Sequence, residues 1–483
     1  MARSLPIPLP LSRLVLASTA LLLVTGCTPA TPPAPLMTPT TPTTPTTPTA
    51  APAPASGPEG VAPVAEALEA RARALVDKLA HGDYAGATAG FDAAMAAALP
   101  AEKLGAVWGQ LVGQAGAFGG VESVKHLQAQ GHWTELVTCR FARTPLVARV
   151  IFDSNSRIAG LFFAQADSTV AWVPPPYAHP DRFTEREVSV GSSPPLPGTL
   201  TLPKGAGPFP AVVLVHGSGP NDADESVGGA KVFKDLAWGL ASSGVAVLRY
   251  VKRTRHAPAG VVSEKEEVID GARAAIELCR ATPEIDPGRV VVVGHSQGGE
   301  LGPRIAAESP ALAGLVVLAG NTRPLQDLVV DQFAYFLKLS PDDTERKKAL
   351  VLAQAFKARL DDPGLKPDEE VGFPGAGTMK ASYFLAMRGY KPAEVAAGLK
   401  IPILILQGDR DYQVTAPDLA GWKRALGAKK NVQIKQYASL NHLFIAGSGP
   451  SRPEEYAVPG HVDEDVIRDI ASFVGHLPAR KAP

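Results

Sequence analysis

Between residues 211 and 473, short β-branched apolar runs alternate with segments whose apolar residues recur at helical spacing. Runs at 211–215, 245–250, 290–293, 315–318, 403–406 and 432–436 read as strands bounded by glycine, proline or charge. Helices are expected at 231–241, 263–280, a stretch ending at Glu308, 419–426 and 466–473. Strands with no polar alternation are buried on both faces, and parallel strands need crossover helices. The expected class over residues 184–478 is therefore α/β, a mostly parallel sheet with helices on both faces. Ligands of such sheets bind beyond the carboxyl ends of the strands, so candidate residues are sought there.

At 483 residues the chain exceeds one ordinary domain. Its 47 Lys+Arg balance 47 Asp+Glu, which argues against a nucleic-acid partner, since that needs a basic excess. Eleven of the 46 prolines fall between Pro29 and Pro58 in Thr-Pro and Ala-Pro repeats. Residues 27–58 thus read as an extended polyproline stalk, reaching roughly 90 Å at about 3.1 Å per residue. Ahead of it, Arg3 and Arg13 precede an apolar run at 14–24 that is short for a bilayer span. The run ends in Val24-Thr25-Gly26-Cys27, which resembles a bacterial lipobox. That resemblance implies a signal peptide over residues 1–26, acylation of Cys27 (palmitate among the chains), and anchoring in the cell envelope. Thr28 rather than Asp follows the cysteine, and the default destination is then the outer membrane. Cys139 and Cys279 fall in separate expected domains and read as buried free thiols.

Residues 59–170 form a different pattern, with helices first and strands after. A helix is expected over 61–80, a second opening near Tyr84 with Phe91 and Met95 on one face, and a third over 101–115 started by Pro100. Alternating runs follow at 121–129, 133–142, 146–153 and 158–164, giving a small α+β domain. It resembles the uncharacterised domain fused upstream of bacterial α/β-hydrolases, similar in shape to nuclear-transport-factor-2-like folds, and a binding or spacing role follows. His81, Asp83 and His132 read as surface polar residues rather than metal ligands. Pro174-Pro175-Pro176 marks a linker.

The chemistry is carried by four short segments. Gly294-His295-Ser296-Gln297-Gly298-Gly299 follows the 290–293 strand and opens a helix. With 46 glycines in the chain a bare Gly-x-Ser-x-Gly says little, but at a strand-to-helix turn only glycine leaves room for the neighbouring backbone. The Ser296 hydroxyl would stand at a helix N-terminus, where negative charge is favoured. His216-Gly217-Ser218-Gly219 ends an earlier strand, where a second amide is needed, so the Ser218 and Gln297 N–H groups are the candidate oxyanion donors. Gly408-Asp409-Arg410-Asp411 follows the 403–406 strand and offers a carboxylate to orient a histidine. His442, just after the 432–436 strand, completes the order serine, carboxylate, histidine. His216 and His295 lie inside motifs and read as structural neighbours, and His256, His461 and His476 lie away from the strand ends that matter.

At these residues the region resembles the α/β-hydrolases, nearest to bacterial esterase-like, dienelactone-hydrolase-like and serine-aminopeptidase-like members. The resemblance implies nucleophile Ser296, acid Asp411 and base His442. Asp411 is preferred to Asp409 because Gly408, Asp411 and Val414 match the family spacing Gly-x-x-Asp-x-x-Val. Dienelactone hydrolases proper use cysteine, so that activity is not expected. Residues 323–396 read as a helical cap with helices at 325–339, 344–360 and 379–388. Phe333, Tyr335, Phe336, Tyr383 and Phe384 line an acyl pocket or pack the cap's own core. Lys252, Arg253 and Arg255 read as a solvated loop. The expectation is a cell-envelope serine hydrolase without metal or organic cofactor, acting on a small acyl substrate and preferring carboxylic esters. Thioesters and aminoacyl amides are the alternative substrates, and a non-catalytic binding lipoprotein on a degenerate hydrolase scaffold is the alternative class.

Overall fold

The computed structural model describes residues 61–129, 132–142, 145–165, 172–257, 261, 263–374 and 377–478. The expected signal peptide, Cys27 and stalk lie outside the described residues. The chain divides into two compact units near residue 166.

In the first unit the helix Val61–Ala80 buries Leu68, Ala72, Leu75, Val76 and Leu79, one stripe at helical spacing. That stripe joins a core with the sheet Phe118–Ala129, His132–Phe141, Leu146–Phe152 and Ile158–Gln165, an antiparallel meander. The single helix expected near Tyr84 is two, Tyr84–Thr88 and Ala93–Ala98. Each is capped by an aspartate, Asp83 accepting from the Gly86 amide at 2.8 Å and Asp92 from the Met95 amide at 2.7 Å. Phe91 lies between them and bridges to Ile158, so it enters the core from a turn rather than from a helix. The helix Ala101–Ala115 has the bounds expected, with Pro100 as its N-cap.

The second unit is built on an eight-stranded sheet. Its order is Val432–Tyr437, Ile403–Gly408, Gly314–Leu318, Ile285–His295, Phe209–Val215, Ala246–Tyr250, Leu196–Pro203, Phe183–Val190. The first six are mutually parallel, and the last two run antiparallel at one edge. This antiparallel edge pair was not read from the sequence. Phe183–Val190 buries only Phe183 and Val190 and exposes most of the residues between them, so it lacks the apolar run of an inner strand. In Phe209–Val215, Val212 and Leu214 face one core while Ala211, Val213 and Val215 face the other, as a period of two requires.

Strand order reverses between Phe209–Val215 and Ile285–His295. The chain leaves the first toward Ala246–Tyr250 and returns to the other side. That reversal opens a crevice at the carboxyl ends. The two strands pair in parallel with Gly294 opposite Val215, which brings the turn after Val215 level with the turn after His295.

The insertion between Gly314–Leu318 and Ile403–Gly408 holds helices Leu325–Leu339 and Thr344–Asp361. The helix expected over 379–388 is shorter, Ala381–Leu385; a hairpin, Glu370–Phe373 with Gly377–Lys380, leads into it and the short helix Pro392–Gly398 follows. Phe333, Phe356, Val371 and Phe384 give the insertion a core of its own. Arg323 fixes its base, bonding Asp418 at 2.8 Å and Asp331 at 2.7 Å.

Candidate active site

Ser296 sits between the Ile285–His295 strand and the helix Gln297–Glu308 with φ 52° and ψ −114°. A non-glycine residue held at positive φ costs on the order of 1–3 kcal/mol and persists only where its surroundings fix it. The Ser296 amide donates to the Leu318 carbonyl at 2.8 Å. The flanking glycines are required by contact. A Cβ on Gly294 would lie 2.1 Å from the Gly298 oxygen, and one on Gly298 would lie 2.2 Å from the Val215 oxygen. Ser296 is half-buried at the N-terminus of its helix.

The turn at Gly217 packs on the Ser296 side chain, since a Cβ there would be 3.1 Å from the Ser296 Cβ. The Gly217 amide donates to Glu225 Oε1 at 2.6 Å. Asn221 Nδ2 donates to the carbonyls of Gly217 at 3.0 Å and Ser218 at 3.2 Å. Among the described residues the Ser218 and Gln297 N–H groups donate to nothing. Ser218 is exposed, while Gln297 is buried.

His442 is buried, with Nδ1 2.7 Å from Asp411 Oδ2. Asp411 is fixed in turn. Its Oδ1 accepts the amides of Gln413 at 2.8 Å and Val414 at 3.0 Å, and its Oδ2 accepts Gln407 Nε2 at 3.1 Å. A Cβ on Gly408 would lie 2.3 Å from the Leu440 oxygen, so glycine lets the histidine loop close on the carboxylate loop. Asn441 Oδ1 accepts the amides of Leu443 and Ile445 and shapes that loop. Asp409 is exposed and accepts Gln436 Nε2 at 2.9 Å, away from the histidine. Among the described residues no hydrogen bond links Ser296 Oγ to His442. Such a link is often long without substrate.

At the residue before Ser296 lies a second histidine–carboxylate pair that was not read from the sequence. His295 Nδ1 is 3.0 Å from Glu225 Oε2, and its Nε2 is 2.9 Å from the His442 carbonyl. Both ring nitrogens face acceptors, the arrangement of an imidazolium. Burial pushes its pKa down, but the Glu225 carboxylate and the His442 carbonyl outweigh burial and raise it. Glu225 keeps its charge for the converse reason, with burial overcome by His295. His295 thereby ties the His442 loop to the Ile285–His295 strand. His216 differs, because burial pushes it down to about 4 and leaves it neutral.

Lys252 is not in a solvated loop. It is 1% exposed, and its ammonium meets Gly217 O at 2.7 Å, Gln297 Oε1 at 2.8 Å and Glu267 Oε1 at 2.8 Å. Its place at the carboxyl end of a wholly buried strand was the available signal, whereas Glu225 lies in an Asp-rich run that looks solvated. Of the proposed pocket aromatics, Phe333 and Phe384 belong to the cap's core and Phe336 packs on Tyr412. Tyr335 stacks on Tyr412 and donates to the Ser451 carbonyl. Of the five, Tyr383 reaches the residue after Ser296, accepting Gln297 Nε2 at 3.1 Å. Cys139 and Cys279 are free and buried, each thiol pushed up to about 12 by burial. Among the described residues no three His, Cys, Asp or Glu side chains are grouped to hold a metal ion.

With this geometry in place, comparison with known proteins decides the family. Residues 212–458 match the family described as Alpha/beta hydrolase family. The chain is 39% identical over 382 residues to Esterase EstD of Thermotoga maritima, spanning 78% of this chain and 88% of that protein. The chain belongs to the alpha/beta hydrolase family. Within the family it is carboxylesterase-like. Residues 72–161 match a protein family of unknown function, DUF3887. Among solved structures, the Pyrococcus furiosus esterase Pf2001 is 15% identical at a TM-score of 0.40, covering 64% of this chain and 96% of that one. Est1E from Butyrivibrio proteoclasticus is also 15% identical at 0.40, covering 60% and 98%.

Proposed function

We propose that this alpha/beta hydrolase is a serine carboxylesterase of the bacterial cell envelope, held there by lipid on Cys27. Ser296 attacks the ester carbonyl while His442 Nε2 takes its proton. Asp411 holds the opposite ring nitrogen and stabilises the imidazolium. The Ser218 and Gln297 amides receive the oxyanion. Collapse of the tetrahedral species gives the alcohol, protonated by His442, and an acyl-Ser296 ester that water hydrolyses by the same route.

The observation that carries this reading is the 2.7 Å Asp411–His442 bond beside a serine held at φ 52°. Two undonated amides and the likeness to Esterase EstD support the ester substrate. Alkoxide leaving groups also need less protonation than amines, which suits a site whose one mobile proton is on His442. The small unit serves as a binding or spacing module.

Ser296→Ala should reduce hydrolysis of short-chain p-nitrophenyl esters by about 10⁴-fold or more with an unchanged circular dichroism spectrum. Retained turnover removes the assignment, and faster turnover of acyl thioesters or aminoacyl anilides redirects it. Cys27→Ser protein is expected in the soluble fraction of lysed cells. Continued pelleting with membranes contradicts the lipid anchor.

A further inference from the structure

We propose that Lys252 is a positioning residue of the oxyanion hole, acting through the Gly217–Ser218 peptide group; the proposal rests on the esterase reading above. The carbonyl of Gly217 and the N–H of Ser218 belong to one planar, resonance-coupled unit. Lys252 Nζ donates to that carbonyl at 2.7 Å, and Asn221 Nδ2 donates to it at 3.0 Å. Positive charge on the oxygen end withdraws electron density from the nitrogen end and strengthens its N–H as a donor. Hydrogen bonds from a charged donor are roughly twice as strong as neutral ones, so the effect is greatest where water is excluded. At 1% exposure Lys252 is such a case.

The same ammonium fixes the residue that carries the other amide. Its second proton goes to Gln297 Oε1 at 2.8 Å, and its third to Glu267 Oε1 at 2.8 Å. Three donors thus meet three acceptors, the full capacity of an ammonium. Glu267 also accepts from Tyr383 of the cap, and Tyr383 accepts Gln297 Nε2 at 3.1 Å. The preceding amide, that of Gly217, is held by Glu225 Oε1 at 2.6 Å. The Gly217 turn is therefore gripped at both ends, beside a Ser218 N–H that donates to nothing among the described residues. Burying a lysine is costly unless it is fully paired. Here every partner but the neutralising Glu267 belongs to a residue or peptide bearing an oxyanion amide.

The test uses the full-length protein with Lys252→Met and with the double variant Lys252→Met/Glu267→Gln, which leaves no buried unpaired charge. Each is assayed for p-nitrophenyl butyrate kcat and KM and for inhibition by an alkyl trifluoromethyl ketone, whose adduct carries the oxyanion. Expected is a kcat loss of about 10- to 100-fold in the double variant, smaller than outright removal of a donor. KM should change less than about threefold, and ketone affinity should fall in parallel with kcat. A folded double variant with kcat within about twofold of wild type overturns the proposal while leaving the esterase reading intact. So does a kcat loss with undiminished ketone affinity, which marks a merely structural role. Should the double variant not fold, Lys252→Gln, which keeps a neutral donor, carries the same predictions at a smaller size. A wild-type protein without ester turnover overturns the esterase reading and this proposal together.

Discussion

At the scale of single residues, the site concentrates backbone strain where chemistry is expected. Ser296 has φ 52° and ψ −114°, a region that glycine enters freely. The surrounding glycines at 294 and 298 are needed for close approach, whereas the proposed mechanism needs the serine for its oxygen. Ser296→Gly should therefore be inactive and yet more stable than Ser296→Ala, which keeps the strain, by about 1 kcal/mol net of the entropy glycine adds to the unfolded chain. Urea denaturation of the two variants side by side measures this. A glycine variant no more stable than the alanine one means that the turn stores no strain.

At the scale of elements, the helix expected over 263–280 opens with a π turn, Lys265–Ile269, before the regular helix Asp270–Arg280. That turn carries Glu267 to Lys252 and leaves Glu264 5% exposed with Oε2 unpartnered among the described residues. Burial pushes the Glu264 carboxyl up to about 8. A raised pKa means that the folded state holds the proton more tightly. The associated stability is complete below the unfolded value near 4.5 and is lost as pH rises through about 8. Wild-type urea midpoints should therefore fall between pH 5 and 8.5 more steeply than those of Glu264→Gln, and parallel curves contradict the buried neutral carboxyl. The inner parallel strands and their helices were legible because apolar runs and helical spacing report burial on two faces. The edge strand Phe183–Val190 was not, since an edge needs few apolar residues, and neither was the cap hairpin, whose four-residue strands carry little pattern. Ser296 and Asp411 could be singled out because glycines tie them to strand ends, and His442 because it follows a strand in the order serine, carboxylate, histidine. Glu225 and Glu267 could not, because a charged residue acquires its role only from partners far along the chain, and Lys252 offered only its place after a buried strand.

At the scale of the whole molecule, one parallel sheet explains why residues 217, 296, 411 and 442 concern one another. Four of its strands, Phe209–Val215, Ile285–His295, Ile403–Gly408 and Val432–Tyr437, end in the loops that carry them, and all four run parallel. The antiparallel pair lies at the opposite edge of the sheet from the Val432–Tyr437 strand and contributes none of them. The central claim is that this arrangement makes Ser296 the nucleophile that becomes acylated. Native protein treated with a fluorophosphonate and digested for mass spectrometry should carry the adduct on the peptide containing Ser296. Labelling should be strongly reduced in His442→Ala. An adduct on a different serine, or none on folded wild-type protein, contradicts the account.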